Sequence, residues 1–376
     1  MKIRELLDEL NSDELKNIAL NYGLMDEEKD KNIHKHELKK RLETRRLTVR
    51  KELKWITDGD KSPNKIKLDK SMILDLKRLA FGFSPSIISN KNKIFLKELG
   101  LLYKGKYIPE ETSIIFREIF REEFVCEIDD FIIEVKYSYF LKLILYINLI
   151  IHKDNLNSRE LKKLESKNKL LKSFMISKNF IGVNDYNLNK EKVRDWIDSN
   201  NIFDLYKDIS EKQSKNIEDI KNLLNIIEKM QGNANKWIDK EKLDFVLEYY
   251  KDEFEYCKEL GLIFDIDKEN KKYTKLSGEA WVMLTNEIPK EWHTHNNVVT
   301  SDFEVMIPFT SNPYSILKLI TYSKLQNKNE DFLLIFDISP KSFNDYDQTI
   351  TYEEFIKELG EIIDDLPDIV KKNYCI

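Results

Sequence analysis

One seven-residue phrase occurs twice, and it limits the fold more than any other feature of the chain. Lys97-Glu98-Leu99-Gly100-Leu101-Leu102-Tyr103 is echoed by Lys258-Glu259-Leu260-Gly261-Leu262-Ile263-Phe264. Each copy closes a stretch of helical periodicity on a glycine and enters an apolar run of strand length. Glycine permits the left-handed backbone that ends a helix. The first run meets Lys104-Gly105-Lys106 and returns through Tyr107-Ile108, and the second meets Asp267-Lys268-Glu269-Asn270 and returns through Tyr273. A polar turn between such runs predicts an antiparallel hairpin. With ten glycines and eight prolines in 376 residues, there is little material for the tight turns of a sheet-rich fold. The remainder reads as helix.

Helix, Leu-Gly-Leu, strand, turn, strand is the order of the last helix and wing of a winged helix. A degenerate third copy follows helical periodicity over 139–151, 158–164 and 167–177: Phe180-Ile181-Gly182-Val183, a turn at Asn184-Asp185, and a return through Tyr186-Asn187-Leu188. The sequence thus divides into winged-helix-like units at 47–125, 126–203 and 204–288, the second degenerate. Residues 1–46 precede them as a helical hairpin. Ile3, Leu6, Leu7 and Leu10 share one face. Asn11 is an N-cap with Glu14 three residues on, and Gly23 ends the helix that carries Leu15, Ile18, Ala19 and Tyr22. A further helix from His34 to about Arg46 has Leu38 and Leu42 as its apolar positions among many cations. This segment resembles the SAP-type DNA-binding hairpin.

The last part changes character. Residues 297–308 alternate and then run apolar into Pro308, as one strand. Pro313 opens a helix with Ile316, Leu317, Leu319 and Ile320. The run 332–338 reads as a buried strand, Ser339-Pro340 starts a short helix, and Thr351-Tyr352-Glu353-Glu354-Phe355 starts another. These elements make a small α+β domain at 296–376, reached across a polar link at 292–297. The segment resembles the N-terminal domain of XPB-type DNA helicases, which also occurs in bacterial helicase-associated proteins. The resemblance rests on Ser301-Asp302-Phe303 leading to Pro308, the helix end at 320–328, Ile338-Ser339-Pro340-Lys341-Ser342, Glu353-Glu354-Phe355 and Leu366-Pro367. Upstream, Thr274-Lys275-Leu276-Ser277-Gly278-Glu279-Ala280 is similar to the helix start that closes a winged-helix-like unit in those proteins. Thr349-Ile350-Thr351 stands where that family has a glycine before the Glu-Glu helix. The resemblance implies a bacterial helicase-associated protein. The expected fold class is mainly α: tandem winged-helix-like units, then a small α+β domain.

Other classes fall away. No apolar run reaches the ~18 to 20 residues of a membrane span, and the start Met1-Lys2-Ile3-Arg4-Glu5 lacks the apolar core of a signal peptide. Cys126, Cys257 and Cys375 are an odd, scattered set, which is no disulfide framework and predicts a reducing, cytoplasmic setting. No Gly-x-x-x-x-Gly-Lys phosphate loop exists, so an accessory is expected rather than a helicase. No Gly-x-Ser-x-Gly elbow exists either, and no cofactor is expected. Glu134-Val135-Lys136, with Asp129 and Asp130 upstream, matches the Glu-x-Lys element of a metal-dependent nuclease, the main enzymatic alternative. The pairs His34/His36 and His293/His295 lack neighbouring cysteines to complete a metal site, and no metal is expected. Trp237, Trp281 and Trp292 are assigned to cores rather than to base stacking.

Binding remains. Residues 35–106 carry 20 Lys/Arg against 8 Asp/Glu, while 286–376 carry 8 against 16. A basic half attracts phosphates and an acidic half repels them. The expected DNA-binding residues are Lys39, Lys40, Arg45, Arg46, Arg50, Lys51 and Lys54 on consecutive helices, Lys91, Lys93 and Lys97 on the helix before the first wing, and Lys104 and Lys106 on that wing. The expected function is a non-catalytic DNA-processing accessory, enzymatically inactive. It would bind DNA with weak sequence preference through its basic half, and a helicase or other DNA-processing protein through its acidic half. A pure protein–protein adaptor is the other alternative.

Overall fold

Helix follows helix through the first third of the chain, as the spacing of its leucines and isoleucines predicts. The computed structural model describes residues 2–26, 30, 33–58, 66, 68–103, 108–126, 128, 138–151, 166–183, 187–199, 201–289, 292, 297–308, 311–326, 333–346, 350–363 and 366–372. In chain order these form α1 (Ile3–Glu9), α2 (Ser12–Asn21), α3 (Lys35–Leu42), a π-helical turn (Glu43–Leu47), α4 (Arg50–Asp58), α5 (Lys70–Phe81), α6 (Asn90–Glu98), α7 (Glu110–Phe124) and β1 (Val125–Cys126). Then come α8 (Tyr139–Ile151), α9 (Lys169–Ser177), α10 (Lys190–Asp198), α11 (Ile202–Lys212) and α12 (Ile217–Gln231). Next are β2 (Trp237–Asp239), α13 (Asp244–Leu260), β3 (Ile263–Lys268), β4 (Lys271–Leu276) and α14 (Gly278–Thr285). Last are β5 (Val298–Val299), β6 (Glu304–Pro308), α15 (Pro313–Tyr322), β7 (Lys324–Leu325), β8 (Leu333–Asp337), α16 (Pro340–Tyr346), α17 (Tyr352–Ile362) and α18 (Asp368–Lys372). The described residues are mainly helical, with two small antiparallel sheets ordered β1-β2-β4-β3 and β5-β6-β8-β7.

Both copies of the repeated phrase end their helices in the same way. Gly100 (φ +67) donates its N–H to Lys97 and Leu101 donates to Leu96. Gly261 (φ +76) donates to Lys258 and Leu262 to Cys257. These bonds close the last carbonyls of α6 and α13, and only glycine takes that backbone without strain. After the second copy the hairpin forms: Glu269 and Asn270 both take positive φ (53° and 64°), the geometry of a two-residue turn matched to strand twist. After the first copy, Tyr103 makes an isolated bridge and residues 104–107 lie outside the described residues.

The chain divides into two units, each assembled from separated segments: 1–129 with 222–251 and 266–275, and 130–221 with 252–265 and 276–376. In the first, α1 packs on α3 and α7, α2 on α3 and α6, and α4 and α5 both on α7. Asn11 caps α2 and Glu14 closes the box, as the sequence predicts. An ionic cluster, buried at Asp75 and Arg78 and open at Glu248, joins three helices of this unit. Asp75 of α5 accepts from Asn92 of α6 at 2.7 Å and from Arg78 at 3.2 Å, and Arg78 also reaches Glu248 of α13 at 2.6 Å. In the second unit α8 packs on α11 and α15, and Phe140, Phe174, Phe180 and Trp196 meet edge to face at centroid distances of 5.7–6.0 Å. Trp237, Trp281 and Trp292 are all buried.

Two local expectations are corrected. Residues 297–308 form two strands instead of one. Thr300 and Glu304 bond across a tight turn, and Phe303 (φ +62) reverses the chain within Thr300-Ser301-Asp302-Phe303. Alternating pattern alone does not reveal a turn whose formers are a Ser-Asp pair. The degenerate third copy makes no strand among its described residues. Its segments meet through the Asn189 N–H, which donates to the Phe180 carbonyl at 2.8 Å, and Val183 is exposed rather than packed on a sheet.

Candidate nucleic-acid interface

The cations singled out by the sequence sit on α3, the π-helical turn, α4 and α6, all in the first unit; Lys104 and Lys106 lie outside the described residues. Lys39 and Lys40 occupy the last turn of α3, where positive charge complements the helix dipole. The π turn that follows is held open by two hydroxyls: Thr44 donates to the Lys40 carbonyl at 2.7 Å and Thr48 to the Glu43 carbonyl at 2.6 Å. Thr112 of α7, fully buried, donates to the Leu47 carbonyl at 2.9 Å and fixes the far end of the turn. The wide turn displays Arg45 to solvent.

Five of these cations meet carboxylates. Lys39 contacts Asp8 at 2.5 Å, Arg46 contacts Glu52 at 3.0 Å, and Lys97 contacts Glu14 at 3.2 Å. Arg50 forks onto Glu118 (3.2 Å) and Glu122 (2.5 Å), and Lys54 shares Glu122 at 3.2 Å. The hydrogen bond from Lys39 holds the Asp8 carboxyl below its ordinary range. The carboxyl of Glu14 is held low first by the Asn11 N–H and then by Lys97. The exposed pairs of Arg50 and Lys54 add about 0–1 kcal/mol each, so their main effect here is on the field: a cation beside a carboxylate presents less net charge to a phosphate. Lys40, Arg45, Lys51, Lys91 and Lys93 have no carboxylate partner among the described residues. Lys51 lies 5.0 Å from the centroid of the Trp55 ring.

The partners of Arg50 and Lys54 come from α7, which starts at Glu110, just beyond the basic stretch counted in the sequence. Summed over its segments, the first unit carries 36 Lys/Arg against 31 Asp/Glu, and the second 26 against 36. Sequence reasoning passed over the second hairpin, where Lys271 and Lys272 are exposed next to the turn. The signal was present in the Lys-Lys step after Glu269-Asn270, outside the basic stretch at 35–106 on which the expectation rested.

Other chemistry is limited. Glu134, Lys136, Asp129, Asp130, His293 and His295 lie outside the described residues. His34 and His36 are exposed, and among the described residues no group of three or more His, Cys, Asp or Glu is arranged to hold a metal. No helix among them is long and apolar enough to cross a membrane. Burial pushes the Cys257 thiol up, and the Cys126 thiol likewise, with Asp239 adding to it. Inside the second unit Glu279 is buried, accepts from the Ser138 hydroxyl at 2.8 Å, and is raised by burial above its ordinary value. Tyr206 is raised by burial first and by Glu279 second. No family model matches this chain, and no curated protein matches it.

Proposed function

We propose that this protein is a non-catalytic, helicase-associated nucleic-acid-binding accessory. It meets a phosphate backbone with the unpaired cations of its first unit and a protein partner with its acidic second unit. The observation that carries the reading is the sorting of charge: Lys40, Arg45, Lys51, Lys91 and Lys93 stand without acid partners among the described residues of the cationic unit, while the second unit is net acidic. Support for the winged-helix component comes from 217–276, which run helix α12, strand β2, kinked helix α13, then the β3–β4 hairpin, with β4 between β2 and β3. That is the strand order a winged helix requires, and its hairpin carries Lys271 and Lys272. The resemblance of 296–376 to the XPB-type N-terminal domain supports a helicase or other DNA-processing protein as the partner.

Fluorescence anisotropy of the full chain with two unrelated duplexes tests the reading. Binding confined to phosphates gives a dissociation constant of about 10⁻⁴–10⁻⁶ M at physiological salt and little sequence preference. The triple change Lys40→Glu, Arg45→Glu and Lys51→Glu should weaken both complexes together. Equal binding by the variant, or none by the parent, removes nucleic acid from the account and leaves the adaptor reading.

A further inference from the structure

Trp55 stands on the outward side of its helix. Helix α4 turns Leu53 and Ile56 into the first unit, where both are buried. At about 100° per residue, Lys51, Lys54, Trp55 and Asp58 then fall on the opposite side. Burial follows this geometry: Lys51, Lys54 and Asp58 are exposed, and Trp55 is half-buried. The other four tryptophans of the chain, Trp196, Trp237, Trp281 and Trp292, are all buried. A large ring gains most from full burial, and at this position α4 gives part of that gain up. Lys51, one turn before Trp55 on the same face, holds its Nζ 5.0 Å from the ring centroid. It has no carboxylate partner among the described residues. Its neighbours Arg50 and Lys54 share Glu122, and Arg50 also meets Glu118. Asp58 is the one acid on the outward side of α4 itself. The open ring therefore lies among three cations, one free and two engaged by acids.

We propose that Trp55 is a stacking platform for an unpaired base, which makes single-stranded nucleic acid the preferred ligand of this face. The platform rests on the reading of the α3 and α4 cations as phosphate-binding, and adds to it a choice between strand forms. Every base has a π face, and an aromatic ring beside cations holds a single strand without reading its sequence. In a duplex each base is already stacked on its neighbours, so the ring has nothing to take up. Stacking a base is the stronger contact, and an exposed cation–π pair the weaker. The base thus displaces the Lys51 ammonium, which has no carboxylate to leave and swings to an adjacent phosphate.

Fluorescence anisotropy of the full chain tests this with one mixed-sequence DNA oligonucleotide, single-stranded or annealed to its complement. The parent should prefer the single strand. Trp55→Ala should lower affinity for the single strand about fivefold to a hundredfold and leave the duplex little changed. The salt slope of neither complex should move, because the ring neutralises no phosphate. Trp55→Phe should recover part of the lost affinity, which a folding defect would not allow. With the other tryptophans buried, the solvent-facing emission is that of Trp55. The single strand should quench it in the parent and leave the emission of Trp55→Phe unchanged. Equal losses on both strand forms, or no loss on either, overturn the platform and leave the cationic face standing. A parent that binds neither form overturns both.

Discussion

At the scale of single residues, buried polar groups fix how elements meet, and one of them makes stability depend on pH. Asp75 and Arg78 pair in the interior of the first unit and recruit Asn92 and, nearer the surface, Glu248, while the buried Arg78 Nε has no partner among the described residues. Glu279 has no such cation. Its carboxyl is raised by burial above the ordinary value of 4.5, with Ser138 and Ser277 working in the opposite direction. Above that ordinary value the unfolded chain has lost the proton and the folded unit still holds it. The folded state then binds more protons, and stability falls as pH rises, by about 1.4 kcal/mol per pH unit, until the raised value is passed. Replacing Glu279→Gln removes this dependence. The unfolding midpoint of the variant, minus that of the parent, should grow as the pH is raised from about 5 to about 8. A difference that stays flat over that range would show that Glu279 is already ionised in the fold.

At the scale of elements, much was legible. The Asn11–Glu14 box, the helix starts at Pro313 and Thr351, and the two Leu-Gly-Leu helix ends all announce themselves through residues with one good conformational use. The expected hairpin at 269–270 follows from two polar residues that tolerate positive φ. What stayed hidden depends on side chains distant in sequence. The π turn at 43–47 rests on Thr44, Thr48 and the buried Thr112, and nothing local in Glu-Thr-Arg-Arg-Leu predicts it. The carboxylates that occupy Arg50 and Lys54 sit 68 residues and more away. So the site was legible as a basic stretch, but not as free and engaged cations. The repeated glycines are equivalent in backbone and unequal in surroundings. A Cβ on Gly261 would fall 2.6 Å from the Ser138 Cα, whereas on Gly100 it would meet the Ile18 side-chain methyls Cγ2 at 3.1 Å and Cδ1 at 3.3 Å. Both alanine variants incur the strain of positive φ, about 1–3 kcal/mol, but only at position 261 must backbone move. Chemical denaturation should find Gly261→Ala the more destabilised of the two, and equal losses would mean that Ser138 yields freely.

At the scale of the whole molecule, charge is sorted between two units. The first is net cationic despite the acids of α1, α2 and α7, and the second is net acidic. Steering by such a distribution is strongly salt-dependent, because each phosphate neutralised releases counterions. Free and engaged cations should therefore contribute unequally, which a count of lysines and arginines does not foresee. In the proposed function, the unpaired cations of α3, the π turn and α4 meet the phosphates. Its most direct measure is the slope of log binding constant against log salt concentration for duplex DNA. With Lys40, Arg45 and Lys51 all changed to Glu, the slope should flatten by roughly 3, about 0.9 for each phosphate no longer neutralised. Changing the carboxylate-bound Arg50 and Lys54 to Gln should flatten it much less. A slope unmoved by the first set and flattened by the second would contradict the account.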